Sequence, residues 1–201
     1  MASARRIGAP DAKNRIVLLD AAEQLMIEEG YVAVTSRRVA ERAGLKPQLV
    51  HYYFRTMDEL FLAVFVRRAE DGLAVQAQAL SSDQPLWALW RLGIDPSATR
   101  LTMEIMGLAN HRTALRSEIA RYSELFRAEQ TKVVTAALDR YGIDVSEVPA
   151  VVWTFMAASV SRVMVMEQAL GMSAGHAEVV EFCEAWLRQL EGEPQPLELP
   201  A

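Results

Sequence analysis

A chain of 201 residues with 51% apolar and 23% charged side chains has an ordinary globular composition, sufficient for one or two compact domains and unlike a disordered segment. The single cysteine, Cys183, excludes an intramolecular disulfide framework and a CxxC metal or redox pair, which predicts a reducing, cytoplasmic setting. The net charge of −5 is unevenly divided: residues 1–56 carry nine Lys/Arg against six Asp/Glu, a net of +3, and the remainder carries 12 against 20, a net of −8. A basic end on an acidic body suits approach to phosphate by one face only.

Two-residue apolar alternation is scarce and three-to-four-residue spacing is common, so the class expected is all-α. Arg5 and Arg6 are followed by mixed polar and small residues rather than the apolar run of an export signal. The longest apolar stretch, Ala150 to Val160, falls short of the ~18 to 20 residues that a bilayer demands and reads as a buried helix, with no membrane partner expected.

In chain order, a first helix is expected from Asp11 to Glu29, with Leu18, Ala21, Ala22, Leu25 and Met26 as its core stripe and Gly30 as its stop. Thr35 or Ser36 can cap a short helix that turns Val39, Ala40 and Ala43 inward and Arg37, Arg38, Glu41 and Arg42 outward. Gly44 breaks it, Leu45 anchors the turn, and Pro47 suits the first position of a helix of about seven residues, where a missing N–H costs nothing. Thr56 and Glu59 fit a capping box opening a long helix towards Leu80, roughly 36 Å at 1.5 Å per residue. Further helices are expected from Pro85, from Asp95-Pro96, between Arg112 and Tyr141-Gly142, from Ser146 to Gly171, and from Ser173 to Leu190. The domains implied are 1–55, 56–191 and a Pro-bearing tail, 192–201, expected to be mobile.

A helix, a glycine turn and a short second helix form a helix-turn-helix pattern, whose second helix fits a ~12 Å wide major groove. The wider stretch Gly30-Tyr31, Thr35-Ser36, Val39-Ala40, Ala43-Gly44-Leu45, Leu49-Val50-His51-Tyr52-Tyr53-Phe54 and Asp58-Glu59-Leu60 closely resembles the TetR family of repressors over roughly the first 66 residues. The resemblance implies that Ser36 and Arg37 begin the helix set against the DNA backbone and that Gln48, His51 and Tyr52 project from the recognition helix, while Val50 and Phe54 pack inward. Their chemistry agrees: Arg can fork onto guanine, Gln can pair with adenine, and hydroxyls suit phosphate. Two positions depart from the family pattern. Lys46 replaces a small capping residue and adds a cation close to DNA, and Met57 stands where a lysine commonly meets phosphate, a loss that Arg55 can offset.

The fold expected is therefore a three-helix head followed by a helical ligand-binding and dimerisation domain. Trp87, Trp90, Met103, Met106, Trp153 and Met156 supply an apolar inventory after residue 80 that serves equally as core or as the cavity the resemblance implies, with Asn110, Arg112, Tyr122 and Arg162 as polar candidates. Of these, Trp87, Trp90, Met103, Met106, Asn110, Trp153 and Met156 form the expected ligand set. Few polar groups among many apolar ones favour a small hydrophobic or amphipathic effector. The excess of apolar residues at Val151, Val152, Phe155, Val163, Val165 and Met166 fits a homodimer through the last two long helices.

His51, His111 and His176 form no metal-ligand pair, and no Gly-rich phosphate loop, GxSxG or HExxH occurs, so no metal, cofactor or catalytic residue is expected. The expected partners are double-stranded operator DNA and the effector. The rival readings are an activator of the same fold, a helical ligand-binding protein without DNA binding, and a small helical enzyme. Arg67 and Arg68, on the long helix beyond the head, are expected to be equally remote from DNA.

Overall fold

The computed structural model describes residues 13–146 and 148–196, with backbone alone over 96–100; every regular element among them is helical. They are α1 (Lys13–Glu29), α2 (Ser36–Arg42), α3 (Pro47–Tyr53), α4 (Met57–Leu80), α5 (Pro85–Gly93), α6 (Pro96–Ala109), α7 (Thr113–Arg140), α8 (Ala150–Ala169) and α9 (His176–Glu191), with a 3₁₀ turn at Tyr31–Ala33. Asp11, expected to open the first helix, lies outside the described residues, as do Arg5, Arg6 and the last five of the tail.

Contacts divide the chain into two compact units, one comprising residues up to Ala69 with Leu101–Ala120, the other Glu70–Arg100 with residues from Arg121 onward. The first unit centres on the α1 stripe: Leu18, Ala21, Ala22, Leu25 and Met26 are all buried against Val39, Ala40, Val50, Phe54 and Leu60. Leu101, Ile105 and Leu108 of α6 join the same core at a spacing that puts them on one helix face. Burial of such side chains contributes about 1.5–3 kcal/mol each before entropy is charged against it.

The second unit packs Leu86, Trp87 and Trp90 of α5 against Val134 and Leu138 of α7, Met164 of α8 and Leu187 of α9. Its tie is electrostatic as well as apolar. The Glu191 carboxylate at the end of α9 accepts the N–H groups of Leu86 and Trp87 at 3.0 and 2.9 Å, satisfying donors that the first turn of α5 leaves unpaired. It also accepts the Tyr141 hydroxyl at 2.8 Å, and burial followed by that bond pushes the phenol up to about 12.

Two expected boundaries move. α8 begins at Ala150 with Pro149 as its N-cap, not at Ser146, because Ser146 is held in a local turn by Asp144. The Ser146 N–H and hydroxyl reach the two Asp144 oxygens at 2.8 and 2.9 Å, holding that carboxyl below its usual range. α9 begins at His176 after Gly175, whose φ of 80° is left-handed backbone. α8 also runs apolar for 20 residues, beyond the Ala150–Val160 stretch, and by length and mean hydropathy (1.3) alone it equals a membrane span. Val151, Val152, Phe155, Met156, Val163 and Met166 of that helix are solvent-facing.

Candidate nucleic-acid interface

The local sequence sets the helix-turn-helix geometry. The Thr35 side chain accepts the Arg38 N–H at 3.3 Å, capping α2, and Gly44 adopts a φ of 64° that closes the turn. Leu45 then donates its N–H to Ala40 at 2.9 Å and packs against the core, so the direction of α3 is fixed by both bond and burial. Pro47 occupies the first turn of α3, and Lys46 precedes it without a side-chain cap. Val50 and Phe54 are buried, which clamps the opposite face of α3 outward.

That outward face carries the residues singled out by sequence. Lys46, Gln48, His51, Tyr52 and Arg55 are exposed, with Tyr52 at 47% and its ring edge-on to Tyr53 at 4.9 Å. Arg37 is exposed on α2 and Ser36 is half-buried at its first position. The arginines of α2 do not share one role. Arg38 meets Glu29 and Arg42 meets Glu28, both at 2.6 Å, which turns these two back onto the end of α1 and leaves Arg37 in solvent. The Arg38 hydrogen bond holds the Glu29 carboxyl below its usual value.

Residues that sequence spacing does not flag hold this head in place. The Tyr31 N–H donates to the Glu104 carboxylate of α6 at 2.8 Å. Arg67 of α4 forks onto Asp20 and Glu23 of α1 at 2.6 and 2.8 Å, so it is a strut of the first unit rather than an idle surface cation. Arg112 pairs with Asp58 at 2.6 Å near the start of α4, and the Arg15 guanidinium lies 5.1 Å from the centre of the Phe54 ring. At the same helix start, the Glu59 N–H bonds Thr56 Oγ1 at 3.1 Å, while its carboxylate returns to the N–H of Arg55, one residue earlier than a standard capping box.

The ligand candidates do not converge in the same way. Trp87, Trp90 and Trp153 belong to the cluster of the second unit, with Trp153 stacked on Trp186 at 5.2 Å. Met103, Met106 and Asn110 lie in the first unit on the exposed face of α6, opposite Leu101, Ile105 and Leu108. Met156 is exposed on α8. Among the polar candidates, Arg112 is committed to Asp58, Tyr122 bonds Glu70 at 3.1 Å and Arg162 is exposed. A groove of about 410 Å³ lies along α8 and α9, lined by Met164, Gln168, His176, Val180, Glu181 and Arg188, none of which composition singles out. No cluster of three metal-ligating side chains occurs among the described residues.

Residues 18–64 match the family model "Bacterial regulatory proteins, tetR family", covering α1 through the first turns of α4. The HTH-type transcriptional regulator BetI of Rhizobium meliloti is 29% identical over 111 residues, 53% of this chain, and the chain spans about half (55%) of that relative's length. Among solved structures, a TetR transcription regulator from Haloarcula marismortui superposes with a TM-score of 0.72 at 17% identity, covering 88% of this chain and 97% of its own. A transcriptional regulator from Saccharomonospora viridis in complex with choline gives 0.73 at 14% identity, covering 87% and 93%. At such identities these two establish the fold. Joined to the capped helix, glycine turn and clamped second helix over the matched residues, they establish that the chain belongs to the TetR family of bacterial regulatory proteins, with a helix-turn-helix DNA-binding domain.

Proposed function

We propose that this protein is a transcriptional repressor that binds palindromic operator DNA as a homodimer and is released by a small effector. One observation carries the DNA reading: Arg37, Lys46, Gln48 and His51 are exposed side by side on α2, the turn and α3, and no other side chain in the described residues engages them. α3 enters the major groove with Gln48 and His51 toward base edges, and Ser36, Lys46, Tyr52 and Arg55 toward phosphate. Selection of bound duplexes from a random pool tests this. An inverted repeat with half-sites about one DNA turn apart is the expected outcome, and recovery of no preferred sequence overturns it.

Dimerisation through α8 and α9 is supported by the apolar side chains these helices leave in solvent, including Phe182 at 77% and Phe155 at 58% exposure. Such surface is rare on a monomer and is self-complementary about a two-fold axis. Arg162 and Glu167 interrupt the same surface of α8, which favours a partner helix over lipid. A ligand that prefers one conformation shifts the population between DNA-competent and released dimers, and a 5- to 150-fold effect needs roughly 1–3 kcal/mol of coupling. α4, which contributes residues to both compact units, is the element proposed to carry that change.

A further inference from the structure

The interior of the second unit contains polar atoms without partners, and they share one chemical character. Arg127 Nη1, Thr131 Oγ1, Trp90 Nε1 and Trp153 Nε1 are each buried and make no hydrogen bond. Arg127 and Thr131 stand four residues apart on α7, one above the other on a single helix face. Val134, one further turn along that face, belongs to the cluster that contains Trp90 and receives Trp153. The guanidinium of Arg127 has no carboxylate partner among the described residues, and its neighbour is the Phe155 ring, 4.8 Å from ring centre to Cζ. Close by on α7, Gln130 is engaged, donating to the buried Gln76 at 2.7 Å, so the seam is polar but its amides are already paired.

Indole and guanidinium nitrogens donate and never accept, so what completes this set must present acceptor atoms. Folded proteins pair nearly all such groups, and several unpaired donors along one apolar seam mark the place of an absent acceptor. A cation among them selects an anion, and the planar fork of arginine fits a carboxylate. The rest of the surroundings is apolar and aromatic, from Phe155 at the exposed edge to the Trp153–Trp186 stack.

Resting on the ligand-responsive reading above, we infer that the effector is a carboxylic acid with an apolar body, its carboxylate held by Arg127 and Thr131 on α7 and its body lying against Trp90, Trp153 and Phe155. A quaternary ammonium is disfavoured at this seam, because Arg127 would repel it.

The test uses the full chain and three ten-carbon probes that differ in the head group: decanoate, decanol and decyltrimethylammonium. Thermal unfolding, indole fluorescence and operator release are followed for the wild type, Arg127→Gln, Arg127→Lys and Thr131→Val. Decanoate is expected to raise the melting temperature, perturb the tryptophans and release DNA, and the other two probes are not. Arg127→Gln is expected to weaken decanoate at least about tenfold, with Arg127→Lys between it and wild type. Thr131→Val is expected to weaken decanoate while raising the melting temperature of the ligand-free protein, an opposition that a purely structural threonine does not produce. It also carries the comparison if Arg127→Gln fails to fold. Equal decanoate affinity in wild type and Thr131→Val overturns the assignment, as does silence of all three probes. A response to decanol or decyltrimethylammonium instead overturns the acid class while leaving the ligand-responsive reading intact. DNA selection without any probe measures operator binding separately.

Discussion

The Arg67 guanidinium on α4 meets the Glu23 carboxylate on α1 at 2.8 Å, with its second nitrogen on Asp20 at 2.6 Å. Burial works against the charge on Arg67, but these two carboxylates outweigh it and raise its affinity for the proton. Loss of the fork leaves two acidic side chains facing each other on α1. Arg67→Ala is therefore expected to destabilise the protein by about 1 kcal/mol and to weaken DNA binding indirectly, measured by chemical denaturation beside operator titration. A wild-type denaturation midpoint would remove Arg67 as a strut.

Arg68, exposed one residue later, is the proper neutral control for base reading. Gln48→Ala is expected to relax preference at one base position per half-site, costing about 1–3 kcal/mol per symmetric contact. Tyr52→Phe weakens all sequences nearly alike, since a phosphate contact carries no base information. Binding to a panel of single-base operator variants separates the two outcomes. Unchanged selectivity after replacing Gln48, His51 and Tyr52 together would move the recognition surface off α3.

For the proposed dimer, a charge placed in the apolar face of α8 or α9 is expected to yield monomers. Phe182→Glu and Val163→Glu, both at exposed positions, avoid the cost of disrupting a core. Analytical ultracentrifugation reads the result, and retention of a dimer by both variants would place the interface elsewhere.

Glu191 offers a stability test that does not touch DNA. Glu191→Ala removes the acceptor for two backbone donors of α5 and for Tyr141, with an expected loss of about 1–3 kcal/mol. Because the Tyr141 phenol is raised from 10 to about 12, its contribution is complete below pH 10 and is lost as the pH rises through 12. Thermal melts across that window are expected to fall more steeply for wild type than for Tyr141→Phe. Parallel curves would mean that Tyr141 does not titrate as the fold implies.

Local chemistry wrote much of this protein directly into its sequence. Apolar residues recurring at helical spacing made the α1 stripe recoverable, and Thr35, Gly44 and Pro47 marked ends because capping, positive φ and the missing proline N–H act within a few residues. The two clamping residues, Val50 and Phe54, then determined which way Gln48 and His51 would face. Ser146 shows the limit of the same logic: a residue able to cap a helix is equally able to close a turn with Asp144, and only the folded chain chose between them.

The tertiary structure alone decided the pairings between distant residues. Tyr31 and Glu104 are 73 positions apart, and Leu86 and Glu191 are 105 apart; neither spacing has a periodicity to betray it. The same holds for the aromatic and methionine inventory, since hydrophobicity specifies burial somewhere without specifying against what. Met103 and Met106 thus ended on the exposed face of α6 while Trp87 and Trp90 entered a core. A partnerless donor such as Arg127 Nη1 is still less legible, because whether a polar group is satisfied depends on which other chain segments pack around it.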